Sequence, residues 1–496
     1  MSKSYDTSPE LEKNSNGEKS EISYPTPSSN ESKSNADSAA NTTIAQNDEN
    51  VFERFTPTQK AIITIVVSYG SFLSPLSSMI MLSAIPQIAS HYNTTSSIID
   101  ISNALYMLSA GISPFFVGTL SSVYGRKKIL TISATLFTAF SLGTALAPTL
   151  TAFFIFRILT GFFGTAFLVV GSNCLGDVYR PTERATAIGW FLLGFQLGPV
   201  FGPFMGGVIV TYKSWRVIFY LQTGLGGLGT ALMLSPLLPE TIHNFTKATE
   251  MSALSRGAYF RELASLVNPM RVLRLFLYPN IICVGLASSA LSWNMYSLLT
   301  PITHVLNPRF GLSSPIQSAL FYLAPGVGYI VGTLVGGRWA DRVVIKNIKK
   351  RNGERVAEDR LKSCLVALGI VIPASMLIYG WSVEKEFGGI PLPVIMMFSQ
   401  AVAQLFVYPS INTYCLDVMQ HKGWSAEVTA GNYLIRWMFA AAGSAACLPA
   451  IQKIGLGWFE VISAGFLVFS AVLVWACSVW GRDWRETAAR KRVWAD

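Results

Sequence analysis

Two arginines lie deep inside otherwise apolar runs: Arg157 in Phe153-Phe-Ile-Phe-Arg157-Ile-Leu-Thr-Gly161, and Arg436 in Tyr433-Leu-Ile-Arg436-Trp-Met-Phe439. A guanidinium in hydrocarbon costs several kcal/mol, which marks a functional site unless the head reaches the lipid headgroups. Arg157 lies about five residues, roughly 8 Å, from the end of its run, so both readings stand for it. Arg436 lies about eight residues, roughly 12 Å, inside, where such reach is hard, and Asn432 sits one helical turn away on the same face. Other polar or aromatic residues inside apolar runs are Asn103, Tyr106, Gln196, Trp293, Asn294, Tyr296, Gln400, Gln404 and Asn412. With Asn432 they are the candidates to line a ligand cavity, which is mostly apolar with few placed polar groups; the same residue types also pack helices in any bundle. Among the acids, Asp100 stands near the start of the second apolar run, where it can carry a proton or stabilise a helix N-terminus. Asp177 and Asp417 stand at run ends, where pairing with loop arginines is the ordinary role, and Glu427 after Ser425 suits a helix first turn. His91, His243, His304 and His421 are far apart, and no metal spacing, P-loop, GxSxG or HExxH is present, so neither a cofactor nor an enzyme is expected.

The elements that must position these groups follow from composition. Of 496 residues, 51% are hydrophobic and only 13% charged, half the roughly 25% of a soluble protein. Apolar spans are predicted at 60–86, 98–120, 128–147, 152–172, 186–210 and 217–238, and again at 278–300, 317–337, 363–381, 391–414, 428–450 and 457–480. The fold class is therefore an all-α polytopic membrane protein of twelve transmembrane helices in two groups of six, 56–240 and 278–480, joined by a polar stretch over 241–277. Residues 1–55 are rich in Ser, Asn, Glu and Lys and lack apolar clustering, so a disordered tail is predicted, without the features of a cleavable signal peptide. The six cysteines are scattered without CxxC spacing and read as small apolar fillers.

Charge gives orientation. Residues 1–54 hold ten acids and five bases, so the net charge of +10 becomes +15 for the remainder. The even-numbered connections and the tail 481–496 hold 25 lysines and arginines, the odd-numbered connections 5; both termini are expected in the cytoplasm. The excess needs no nucleic-acid partner, and the basic run at Lys346–Lys350 suits anionic lipid headgroups.

Two motif sets stand out. In the fifth span Gly194, Gly198, Gly202 and Gly206 recur every fourth residue, with Pro199 and Pro203 between them and Gly207 following. One helix face is thus open to close approach, and the prolines favour a bend. After the second span stand Gly118, Ser122, Gly125, Arg126 and Lys127; after the eighth, Gly337, Asp341 and Arg342. With Asp177 and Asp417 ending corresponding spans, these parallels indicate an internal repeat with a central site between halves.

On these motifs the chain resembles the major facilitator superfamily, and within it the fungal twelve-span drug:proton antiporters. The loop after the second span is similar to the superfamily's G-x-L-a-D-r-x-G-R-[RK] signature, with Ser122 and Val123 where the signature has Asp and Arg. The second-half copy keeps Asp341 and Arg342; in the family the acidic residue helps latch the halves. Arg157 falls in an R-x-x-x-G motif that the resemblance associates with proton coupling, and Asn432 and Arg436 in an N-x-x-x-R element. Gly198-Pro199-x-x-Gly202-Pro203-x-x-Gly206-Gly207 is similar to the antiporter signature. Further matches are Asp177-Val-Tyr-Arg180-Pro181-Thr-Glu183-Arg184, Trp215-Arg216-x-x-Phe219 and Pro239-Glu240-Thr241. The resemblance covers about 56 to 480. It implies a proton-coupled exporter of drugs, other xenobiotics or polyamines, with protons and a small-molecule substrate as its partners, acting as a monomer in the plasma membrane or the vacuolar membrane. Arg157, Arg436 and Asp100 are the candidates for coupling. An importer of an organic acid or other nutrient and a non-transporting sensor are the alternatives. The two central arginines suit neutral or anionic solutes, while the resemblance points to drugs and polyamines.

Overall fold

The first span starts on a reciprocal cap. The Thr56 hydroxyl accepts from the Gln59 N–H at 3.3 Å, and the Gln59 side chain accepts from the Thr56 N–H at 2.9 Å. Pro57 follows, where an N–H would have no helical partner anyway. The computed structural model describes residues 52–242, 254–266, 269–306, 309–311, 315–419 and 424–490. The tail 1–51, residues 491–496, His243 and His421 lie outside the described residues, as does the His304 side chain.

Among the described residues there is no strand, and twelve helices are long and apolar enough to cross a membrane. Their α-helical segments are α1 (Pro57–Ile80), α2 (Ser96–Tyr124), α3 (Arg126–Leu146), α4 (Leu150–Val178), α5 (Arg184–Tyr212), α6 (Arg216–Leu234), α7 (Pro279–Leu299), α8 (Pro315–Lys350), α9 (Ile372–Glu384, which crosses together with the turn before it), α10 (Pro391–Val418), α11 (Ser425–Ile454) and α12 (Leu456–Arg490). A 3-10 turn (Met81–Ala84) and a short helix (Ile85–His91) extend α1, and a π-helical turn (Ala367–Val371) precedes α9. α8 and α12 run further than hydropathy indicates because helix-forming Lys, Arg and Glu continue past the apolar segment.

The stretch read as a polar loop over 241–277 contains two helices, Arg256–Leu266 and Pro269–Leu275. Val272 is buried there with Phe115 of α2 and Ala430 of α11. The interspersed apolar residues are thus used to cover the junction of α2 and α11.

From Phe55 onward the chain forms one compact unit. In the first half α5 packs on α1, α4 on α2 and α3, and α6 on α3; in the second, α8 packs on α10, α11 on α7, and α12 on α7 and α9. The halves meet along two seams, α5 with α8 and α10, and α2 with α11. The fold is two six-helix bundles facing each other.

Candidate functional site

The end of the molecule that carries the even-numbered connections, called here the basic end, holds the two halves together. The first N–H groups of α5 have no intrahelical acceptors, and Asp341 of α8 supplies one from the other half. It accepts from the Ala185 N–H (3.2 Å), the Thr186 N–H (2.9 Å) and the Thr186 hydroxyl (2.7 Å), and from Arg360 (3.3 Å). A carboxylate is favoured at this helix terminus by the dipole as well. Gly337, one turn earlier on α8, makes the crossing possible: a Cβ there would lie 2.7 Å from the Thr186 Cα. Beside it, Asp417 of α10 pairs with Arg184 of α5, with Arg355 (2.7 Å) and with Arg360 (3.5 Å), and Arg360 also donates to the Pro181 carbonyl at 2.5 Å. Arg342 points outward and is exposed.

The corresponding first-half loop is built differently. Gly125 takes a φ of +99° between α2 and α3, a conformation that suits glycine. Arg126 pairs with Asp177 at 3.1 Å and donates to the hydroxyls of Ser121 (2.7 Å) and Ser122 (3.0 Å), which are themselves bonded to the Gly118 carbonyl. Glu240 accepts the N–H groups of Arg126 (2.8 Å) and Lys127 (3.1 Å) at the start of α3. With Ser122 in place of an acid, this loop ties α3 to α4 and to the chain after α6, whereas the second-half loop crosses the α5–α8 seam. Nearby, burial pushes the Tyr179 phenol above its ordinary range, partly offset by its hydrogen bond with Thr64.

Between the ends, the two arginines have different surroundings. Arg157 is fully buried, so it does not reach the headgroups. Its guanidinium donates to the Ser77 carbonyl (3.1 Å), the Ser77 hydroxyl (3.3 Å) and Asn103 Oδ1 (3.2 Å), and lies 4.5 Å from the Tyr106 ring centre. Tyr106 donates to the Ser74 carbonyl at 2.8 Å. Arg157 therefore binds α4 to α1 and α2 within one half. Arg436 is 2% exposed; its Nε donates to Ser292 at 3.1 Å, while Nη1 and Nη2 have no hydrogen-bond partner among the described residues. Three rings surround it, Tyr408 (4.1 Å), Phe195 (4.3 Å) and Tyr433 (5.6 Å), and Phe195 comes from the opposite half. Such contacts are each worth about 0.5–2 kcal/mol, which offsets part of the desolvation. Tyr296 lies within electrostatic reach of Tyr106, Tyr408 and Arg436 and so connects this group to the first half.

The amides form a second group. Gln400 donates to Asn294 Oδ1 (2.6 Å) and to Gln404 Oε1 (3.2 Å), and Gln404 also accepts from Tyr329 (3.1 Å). Asn432 donates to Asn412 at 3.4 Å, and Asn412 to the Tyr408 carbonyl at 3.0 Å. Gln196 of α5 is buried with both amide atoms unpartnered among the described residues. Two candidates lie elsewhere. Trp293 turns into the second half, donating to Ser463 of α12 at 3.1 Å beside Gly443, and Asp100 is exposed near the opposite end. The glycines of α5 pack on α1: a Cβ at Gly194, Gly198, Gly202 or Gly206 would come within 2.3, 2.6, 2.9 or 2.4 Å of Ser68 O, Pro75 Cγ, Met79 Cβ or Ile80 O. Gly207 faces away, with 3.9 Å of room. Pro199 and Pro203 sit inside a single helix, α5.

Among the residues that escaped the sequence reading is an acid inside a predicted span. Glu460, in the first turns of α12, is 0% exposed, and both its oxygens accept from the Ser297 hydroxyl of α7 (2.8 and 2.9 Å). Gly380 of α9 makes room for its methylenes, and Tyr379 and Cys447 are its titratable neighbours. The buried acids Asp341, Glu358, Asp359 and Asp417 each sit in ion pairs; Glu460 and Glu427, the latter in the first turn of α11, sit in none among the described residues. The signal was available, since Glu460 lies among apolar residues within the span 457–480.

This arrangement can be compared with known proteins. The chain is similar to an MFS antiporter, QDR3, of Candida albicans, 24% identical over 86% of this chain and 78% of that one. It is also similar to the efflux pump radE of Floropilus chiversii, 26% identical over 86% of this chain and 80% of the other. Among solved structures, the human organic anion transporter MFSD10 (TETRAN) superposes with a TM-score of 0.63 at 16% identity, covering 85% of this chain and all of that one; this shows a shared fold. The family model described as Major Facilitator Superfamily matches residues 67–446, and the chain belongs to that family of membrane transporters.

Proposed function

We propose that this transporter is a proton-coupled exporter of small organic molecules such as drugs, other xenobiotics or polyamines, working by alternating access. The reading rests on the glycine face of α5, whose pattern is that of the superfamily's antiporters, and is supported by relatives described as an antiporter and an efflux pump. The basic end is the cytoplasmic end, because of its excess of lysine and arginine. With that end held shut by Asp341, Arg184, Arg360 and Asp417, the described arrangement is the one that releases solute outward. Solute binds among Arg436, Tyr296, Tyr408, Gln196, Asn294 and Gln400, buried residues of both halves; the reading is supported by the polar atoms of Arg436, Gln196, Asn294 and Gln400 that have no partner among the described residues. Glu460 carries the proton: its charge is able to change without breaking an ion pair, and Ser297 connects it to α7. The protein acts as a monomer in the plasma membrane, the vacuolar membrane being the other address.

A second reading, uptake of an organic acid, draws on Arg436, whose two terminal nitrogens suit a carboxylate. Flux into proteoliposomes containing only this protein, under an imposed pH gradient and with cationic, neutral and anionic solutes, separates the two. Solute moving against the proton flow, and stopped by a protonophore, supports export; solute moving with the protons refutes it.

A further inference from the structure

From the groove at the basic end of the α5–α8 seam and the basic face of α8, we propose a binding site for an anionic phospholipid that favours the arrangement in which that end is closed.

The groove has a volume of about 820 Å³. Its walls are Ile65 of α1, Trp190 and Leu197 of α5, and Ile345 of α8. Ile65 and Trp190 are 67% and 39% exposed, so the opening faces sideways, towards lipid rather than the interior. Arg338 and Arg342 stand at its edge. From there α8 continues as a row of bases, Lys346, Lys349 and Lys350, around a second hollow that shares Arg342 and Ile345. Among the described residues none of these five bases joins an ion pair, although other basic residues of the same end do. Apolar walls with unneutralised cations at the rim match an acyl chain and a phosphate headgroup. Two acids also border the groove. Asp341 is committed to the N-terminus of α5 and to Arg360, and Glu183 is exposed and lines the same groove as Arg338 and Arg342, with no ion pair to either among the described residues.

The site is tied to conformation because its walls come from both halves, α1 and α5 from one and α8 from the other. When the seam opens, the groove loses a wall. A ligand that needs both walls binds the closed arrangement more tightly and shifts the population towards it. Arg342 is adjacent in sequence to Asp341, so the headgroup would sit beside the latch and neutralise the neighbouring bases without competing for the Asp341 contacts.

The test uses the full chain in nanodiscs and in detergent. Retention of phosphatidylserine, phosphatidylcholine and free glycerol 3-phosphate is measured by native mass spectrometry. Spin labels at Lys128→Cys and Asn352→Cys, one in each half, report closure of the basic end; the six native cysteines are buried. Phosphatidylserine should be retained selectively and should narrow the label distances to the short population. The triple variant R338Q/R342Q/K346Q should weaken retention by about a hundredfold, at about fivefold per base. The variant I65W, which fills the groove at an exposed position and keeps every charge, should also lose retention. Equal retention of phosphatidylcholine, displacement by glycerol 3-phosphate or by an exported solute, unchanged retention in either variant, or label distances indifferent to phosphatidylserine would each overturn the proposal.

Discussion

Gly206 and Gly207 are neighbours in one motif, yet the structure assigns them opposite responses to a single added methyl group. A Cβ at Gly206 would lie 2.4 Å from the Ile80 carbonyl oxygen, backbone that has no rotamer to escape through. Contact needs about 3.5–4.0 Å between carbons, so α1 and α5 must part by about 1 Å at that level. Overpacking of this kind costs about 1–3 kcal/mol. Alanine recovers about 1 kcal/mol of helix propensity over glycine, so G206A should lose up to about 2 kcal/mol net. At Gly207 the nearest atom, Ser83 Oγ, is 3.9 Å away; only the propensity gain remains, and G207A should be neutral or stabilised by up to about 1 kcal/mol. The assay is the apparent Tm of the purified protein in detergent, followed by export from vesicles. G206A should melt lower and export less, and G207A should melt at or above the parent and export normally. If both variants move in the same direction, the glycine face is not what sets the distance between α1 and α5.

Four further outcomes follow from the site. Asp341→Asn keeps the shape but weakens the charge-assisted bonds to the start of α5 and to Arg360; solvent access at the basic end, read by labelling of a cysteine at Thr182, should rise severalfold. Glu460→Gln retains the contact with Ser297 but cannot carry a proton; flux should fall at least about tenfold and lose its dependence on the pH gradient, with an unchanged Tm excluding misfolding. Arg436→Lys keeps the charge but removes the planar stacking on Phe195 and Tyr408, so solute affinity should drop about tenfold while expression persists. All six cysteines are buried, so maleimide should leave the folded protein unmodified and label it only after denaturation.

The spans were legible because apolar length alone identifies them, and the predicted run 391–414 meets a helix spanning Pro391–Val418. The glycine face of α5 was legible too, since a spacing of four fixes a helix face. What could not be read is which partner each polar residue finds. Arg157 and Arg436 share the same local pattern, an arginine in an apolar run, but one meets Ser77 and Asn103 and the other only Ser292 and aromatic rings. Those partners lie on other helices, and hydropathy carries no information about them. Trp293 shows the same limit, since one turn of α7 separates a residue facing α12 from one facing the other half. At the basic end the acids Asp341 and Asp417 were legible, but not which arginines they meet: Arg184 and Arg360 are buried beside Asp417, and nothing in the local sequence of either connection marks that burial.

The aromatic surround of Arg436 links charge to conformation. A buried guanidinium with no acid opposite costs several kcal/mol, and three rings at about 0.5–2 kcal/mol each are of the size needed to offset it. Phe195 belongs to α5 and the other two rings to the second half. When α5 swings away from α8 and α10, Arg436 loses one ring, and the compensation falls short by about that ring's share. Something must replace it, either water or a bound solute. A solute that meets the two free nitrogens restores the balance in the arrangement where Phe195 has left, so solute binding and movement of α5 favour one another. Phe195→Leu removes the ring while keeping an apolar contact of similar reach. It should narrow the difference in solute affinity between the two arrangements, which binding measured from each side of oriented vesicles would detect. Equal affinities in the parent would show that Phe195 has no part in this coupling.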